Sequence, residues 1–273
     1  MPYVEGVDST RLFYKDWGSG QPVVFVSSVY LGTEMWEYQL PYLASRGMRC
    51  IAYDRRGHGR SDSPWDGYDY DTLADDLAAL ISHLDLRDVI LVGHSMGGGE
   101  VVRYLTRYGS DRIAKIALIS ASAPFPMKTE DNPDGIELDL FLKGLEIMNQ
   151  DRPKWLAENA APFFALDVPE NNVSPEMVHW LVQVCLQCSP RAMDACNHTF
   201  FTTDLRQEMR RISVPALIIH GDRDVSAPFE LCGIKSAQLV PNNRFIVYED
   251  AAHGLFVTHA DRLNADLLAF ANE

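Results

Sequence analysis

Ser95 stands between glycines in Val89-Ile90-Leu91-Val92-Gly93-His94-Ser95-Met96-Gly97-Gly98, where an apolar run gives way to a helix-compatible stretch. G-x-S-x-G at such a junction is the signature of a nucleophile elbow, a sharp turn that leaves a serine hydroxyl exposed over a cleft. The run before it reads as a buried strand, and Glu100 to Tyr108 reads as a helix. The glycines relieve the crowding that so tight a turn creates. A glycine-rich turn without chemistry would carry the same motif, so the reading depends on partners elsewhere in the chain.

A serine hydroxyl is a weak nucleophile near neutral pH and needs a histidine base and a carboxylate to orient that base. Both are expected after Ser95, the acid first. Val214 to His220 reads as a second buried strand that runs into Gly221-Asp222-Arg223-Asp224-Val225. Asp224 is favoured over Asp222, because Asp222 lies in the immediate turn, where a short polar side chain commonly bonds its own backbone. For the base, His253 follows the strand-like Arg244 to Tyr248 and sits in the small-residue loop Ala251-Ala252-His253-Gly254. Loops at strand ends of an α/β sheet are where catalytic groups gather. The other histidines have plainer roles. His94 occupies the variable position of the elbow, His220 ends a strand, His58 lies in a glycine-arginine loop, His259 starts the last helix, and His83 and His179 fall on helical faces. His198, beside Phe200 and Phe201, could face a pocket, but a satisfied structural histidine is the simpler reading.

With these motifs in place the chain resembles the α/β-hydrolases, and most closely the bacterial cofactor-free haloperoxidases and their arylesterase relatives. Gly93-His94-Ser95-Met96-Gly97-Gly98 resembles the family elbow, Asp54-Arg55-Arg56-Gly57-His58-Gly59-Arg60-Ser61 its loop after an early strand, and His220-Gly221-Asp222-Arg223-Asp224 its acid loop. The resemblance implies an α/β fold, a mostly parallel central sheet flanked by helices with a helical cap inserted. It also implies Ser95 as nucleophile, Asp224 as acid, His253 as base, and the backbone N–H groups of Met96 and Val29 as oxyanion donors, with no cofactor and no metal. Two departures stand out. Ser27 and Ser28 replace the usual His-Gly pair, which leaves three outcomes open: a loop posed differently, a Ser28 hydroxyl that adds a donor, or a serine that fills the turn. Tyr30 stands where haloperoxidase-like members often carry proline, which tilts the expectation toward ordinary hydrolysis.

Composition fits this assignment. A chain of 273 residues, 47% hydrophobic, can bury one large core. The formal charge of -14 excludes a nucleic-acid partner as the expectation, since phosphate contacts need clustered Lys and Arg. No apolar run approaches the ~20 residues a bilayer span needs, so no membrane partner is expected. Met1 to Leu12 lacks a signal-like pattern, so a cytoplasmic location is expected. Five scattered cysteines suggest no disulfide framework, and Cys185-Leu186-Gln187-Cys188 has metal-like spacing without a second pair. A homo-oligomer stays open.

The elements that must position these residues alternate between strand and helix. Leu12 to Tyr14, Pro22 to Ser27, Met48 to Asp54 and Ile113 to Ser120 read as further strands, and Glu34 to Ser45 and Thr72 to Leu84 as helices, the latter capped at Asp71-Thr72. From 123 to 211 no strand is evident and prolines recur, while Leu138 to Met148 and Glu176 to Cys188 have helical periodicity. The expected organisation is a core of 1–122 and 212–273 with 123–211 as the cap. Three or four of the cap's large residues, drawn from Phe125, Met127, Phe141, Trp155, Phe163, Phe164, Trp180, Phe200 and Phe201, should line an apolar pocket. Ser28, Tyr30, Phe125 and Val225 are the candidate substrate contacts. The expected substrate is a small neutral or aromatic ester, cleaved through an acyl-enzyme. A lactone, a carbon-carbon bond, peroxyacid formation, or slow turnover in a ligand-binding member are the rival readings.

Overall fold

The longest apolar runs become the centre of one sheet, because parallel strands are covered on both faces and so favour apolar side chains along nearly their whole length. A computed structural model describes residues 2–273. Its strands are β1 (Tyr3–Glu5), β2 (Arg11–Gly18), β3 (Gln21–Val26), β4 (Met48–Tyr53), β5 (Val89–His94), β6 (Ile113–Ile119), β7 (Ala216–Gly221) and β8 (Asn243–Tyr248). They pair in the order β1-β2-β4-β3-β5-β6-β7-β8. β2 is antiparallel to both its neighbours, and the pairs from β4 onward are parallel. The winding reverses between β3 and β5, where Val26 lies beside Gly93. A crevice opens beyond the carboxyl ends of strands at such a reversal.

Among the helices, α1 (Gln39–Ala44), α2 (Tyr70–His83) and α3 (Met96–Tyr108) precede β6. The expected single helix over Glu34 to Ser45 is instead a 3-10 turn, Thr33–Trp36, followed by α1. Pro41 explains the break, since a proline is tolerated in a first helical turn but not in an interior. The cap of α2 is Asp69, whose side chain accepts from the Thr72 N–H at 3.0 Å, and Asp71 sits inside the first turn.

Between β6 and β7 lie α4 (Leu138–Gln150), α5 (Arg152–Phe164), α6 (Pro175–Cys185), α7 (Pro190–Thr202) and α8 (Arg206–Met209). The helical periodicity read over Leu138 to Met148 and Glu176 to Cys188 covers α4 and α6 but neither α5 nor α7. Pro153 and Pro190 stand in the first turns of α5 and α7, after the N-caps Asp151 and Ser189, where the missing N–H costs little. The chain closes with α9 (Lys235–Leu239), α10 (Leu255–Thr258) and α11 (Ala260–Asn272). Among the described residues no helix is long and apolar enough to cross a membrane. The five cysteines are free thiols.

Two buried arginines tie the loop after β4 to the rest. Arg56 forms a bidentate pair with Asp76 of α2, at 2.6 and 2.8 Å. Arg55 pairs with Glu100 of α3, whose other oxygen accepts from the Tyr53 hydroxyl at 2.8 Å. Removing one partner of a buried pair strands the other charge, so Glu100→Gln should lower stability by about 3–5 kcal/mol in urea unfolding. A loss below about 1 kcal/mol would show that Arg55 finds other compensation.

Candidate active site

Ser95 occupies the turn between β5 and α3 with φ 55° and ψ -123°, a left-handed conformation that a non-glycine residue adopts only under constraint. Gly97 is required next to it, because a Cβ there would run into the carbonyl oxygen of Val26. The turn therefore depends on close packing of β3 against the start of α3.

The Ser95 hydroxyl lies 3.2 Å from that of Ser122, in the loop after β6. Across the crevice, His253 Nδ1 is 2.7 Å from Asp224 Oδ2. The other Asp224 oxygen accepts from the N–H groups of Ser226 and Ala227 at 2.9 and 2.8 Å. Burial opposes ionisation of Asp224, but the adjacent His253 ring and these donors hold its carboxyl below the ordinary value. The geometry thus brings together Asp224 and His253, for a reason opposite to the sequence argument. Asp224 bonds its own downstream backbone, whereas Asp222 is exposed.

His94 holds the histidine from behind. Its Nε2–H donates to the His253 carbonyl at 2.9 Å, and the two rings meet edge to face at 4.7 Å. Burial keeps His94 neutral, with its pKa far below the usual value.

The loop after β3 has an unusual division of labour among three successive N–H groups. That of Ser28 points to Met35 Sδ at 3.4 Å, and that of Tyr30 donates to His58 Nε2 at 3.2 Å. Among the described residues the Val29 N–H between them has no acceptor. Arg55 is the cause. Its guanidinium donates to the carbonyls of Ser27 and Ser28 at 2.7 and 3.1 Å. In a trans peptide the N–H points opposite the carbonyl, so anchoring the Ser28 carbonyl turns the Val29 N–H away from Arg55. Neither Ser27 nor Ser28 has a positive φ, so the absent glycine imposes no left-handed strain. The Ser27 hydroxyl accepts from the Trp36 indole at 3.1 Å and donates to the Gly32 carbonyl at 3.0 Å, which fills the turn. The Met96 N–H starts α3 and has no intrahelical acceptor.

These groups open on a cavity of about 380 Å³ between the sheet and α4–α7. Ser28, Tyr30, Val225, Ser95 and His253 line it, and no side chain of Asp, Glu, Lys or Arg does. Phe125 does not. It is buried beneath Arg206, whose guanidinium carbon lies 5.1 Å from the ring centroid, and the cavity wall is the next residue, Pro126. Of the expected cap aromatics, Phe141, Trp155, Phe163, Phe164, Phe200 and Phe201 line the cavity, more than the three or four anticipated. His198 stays out of it and packs its edge on Phe141. Tyr30 offers the cavity its ring, because its hydroxyl is committed to Asn197 Oδ1 of α7 at 2.8 Å.

Sequence reasoning missed Arg55, His58, Ser122 and Asn197. Two adjacent arginines at a buried strand end in a strongly acidic chain were a readable signal for the first. Ser122 and Asn197 carried none, since their roles arise from elements far apart in sequence.

The geometry can be set beside known proteins. A family model described as alpha/beta hydrolase fold matches residues 21–165. The non-heme chloroperoxidase CPO-A1 of Kitasatospora aureofaciens is 40% identical, with 100% of each chain covered. The bifunctional esterase/perhydrolase DCH of Acinetobacter calcoaceticus is 40% identical over 99% of each. The crystal structure of bromoperoxidase from Bacillus anthracis superposes with a TM-score of 0.94 at 37% identity, covering 100% of this chain and 99% of that one. The chain belongs to the α/β-hydrolase family. Within that family it is similar both to haloperoxidases and to an esterase.

Two outcomes follow from the site's surroundings. Burial first, and then the Arg55 charge, push the His58 pKa down to about 3. Its unfolded counterpart titrates near 6.5, so the stability tied to a neutral His58 is present above pH ~6.5 and is lost as the pH falls from there toward 3. Urea unfolding should therefore weaken between pH 7 and 5.5 by up to about 1.4 kcal/mol per pH unit for this proton, and a flat profile would refute a neutral folded His58. Separately, Tyr30→Phe leaves the Asn197 oxygen unpaired and should cost about 1–2 kcal/mol on thermal unfolding.

Proposed function

We propose that the protein is a serine hydrolase of small neutral carboxylic esters, with residues 123–211 acting as a cap over a catalytic core of 1–122 and 212–273. The observation that carries this reading is the Asp224–His253 pair facing an elbow serine across an uncharged cavity. Ser95 attacks the ester carbonyl and His253 takes its proton. Asp224 holds the imidazole with Nε2 free to accept, and steadies the imidazolium that forms. The carbonyl oxygen, as it becomes an oxyanion, is met by the N–H groups of Val29 and Met96. The alcohol leaves with the proton from His253, and water, activated by the same base, releases the acid. No step calls for a metal or organic cofactor.

Substrate choice follows from the walls. A cavity of about 380 Å³ with apolar and aromatic sides suits a compact ester with little charge, at the lower end of the range for small-molecule sites. Ser28 lines this space beside Val29, which supports a reading in which its hydroxyl adds a donor near the Val29 N–H. Peroxyacid formation is a second use of the same acyl-enzyme, with hydrogen peroxide replacing water as the acyl acceptor. It is favoured by the likeness to a bifunctional esterase/perhydrolase.

Hydrolysis of p-nitrophenyl acetate and butyrate tests the reading. Ser95→Ala should fall to the background rate, and Asp224→Asn should lose about 10⁴-fold in kcat. Wild-type turnover equal to that of Ser95→Ala would reject the esterase assignment. Bromination that requires both peroxide and acetate, at a rate below hydrolysis, is the expected result for the second activity.

A further inference from the structure

Among the described residues, Ser122 is the one polar side chain hydrogen-bonded to the Ser95 hydroxyl. Two bonds hold the residues together: the Ser122 N–H donates to the Ser95 carbonyl at 3.1 Å, and the two hydroxyl oxygens lie 3.2 Å apart. Both residues are buried, at 3% and 6% exposure, so each hydroxyl needs a partner and the pairing satisfies both. The backbone of Ser95 is fixed by the elbow, so its hydroxyl can be redirected by rotation about χ1 and about the Cβ–Oγ bond. Among the described residues the Ser95 hydroxyl is hydrogen-bonded to Ser122 and not to the His253 ring, whose bond is the one from Nδ1 to Asp224.

We propose that Ser122 is a positioning residue that parks the Ser95 hydroxyl in a resting rotamer away from His253. The inference rests on Ser95 being the nucleophile. To attack, Ser95 must give its proton to His253 Nε2, and it must first release Ser122. The parked state therefore adds to the barrier of acylation. It adds nothing to deacylation, because the acylated Ser95 oxygen carries no proton to donate. A packing role for Ser122 would not separate the two steps in this way.

A fluorophosphonate probe reads the first step alone. The Ser95 oxygen forms a bond to phosphorus, the P–F bond breaks, fluoride leaves with its electron pair, and the hydroxyl proton passes to His253. Intact-mass measurement gives the labelling rate of wild type, Ser122→Ala, Ser122→Thr and Ser95→Ala. Loss of one neutral hydrogen bond should make Ser122→Ala label about two- to tenfold faster, while Ser122→Thr, which keeps the hydroxyl, labels as wild type. Ser122→Val serves as a second hydroxyl-free variant should the alanine protein not fold. In p-nitrophenyl acetate hydrolysis the burst phase should accelerate with the steady-state deacylation rate unchanged. Equal or slower labelling of the hydroxyl-free variants, or a threonine variant as fast as alanine, overturns the parked rotamer. Wild type as inert to the probe as Ser95→Ala would instead overturn the nucleophile assignment, a separate and recognisable failure.

Discussion

The buried pair of Arg55 and Glu100 sets the geometry on which the candidate site depends. Glu100 belongs to the helix that starts at the elbow, and Arg55 reaches the carbonyls of Ser27 and Ser28 after β3. One charge pair thus fixes the elbow helix against the loop that carries the Val29 N–H, so the two N–H groups proposed for the oxyanion are registered to each other. Charges removed from water are poor sources of net stability, since desolvation offsets most of their attraction. A well-packed apolar pair would hold the helix as firmly. It could not hold two peptide carbonyls, and here specificity of backbone orientation is what the pair supplies.

Tyr30 extends this order to α7. Its φ of 73° is one that tyrosine adopts at a cost of about 1–3 kcal/mol unless its surroundings over-determine it. They do: His58 accepts its N–H, Asn197 accepts its hydroxyl, and the Trp155 ring meets it edge-on at 6.4 Å. His58 can accept only as a neutral ring whose Nδ1–H donates to the Arg56 carbonyl at 2.9 Å. Burial beside Arg55 enforces that state. The same arginine that orients Val29 therefore also keeps the acceptor for Tyr30 uncharged.

Much of this was legible in the chain. The elbow, the acid loop and the histidine loop are local patterns, each a strand running into a short turn, and such patterns survive in sequence because one segment carries them. The strands from β2 to β8 were legible for the same reason, whereas the three-residue β1 was not. What resisted reading was relational. Phe125 looked like a pocket wall by composition, but its neighbour Pro126 takes the wall and Arg206 covers the ring. The α5 and α7 helices carry Pro153 and Pro190 in their first turns, and what a proline means depends on whether it stands in the first turn or the interior of a helix. Ser122 and Asn197 act through partners 27 and 167 residues away, and no spacing rule announces such pairs.

The uncharged lining of the cavity bears on how a turnover would end. Cleaving a neutral ester turns one acyl fragment into a carboxylate, and that anion forms where no Lys or Arg side chain can retain it. An unpaired charge in apolar surroundings is costly, and the chain around it carries a formal charge of -14. On the proposed chemistry, product expulsion would be driven by the same walls that admit the substrate, and the acid would have little reason to linger as an inhibitor.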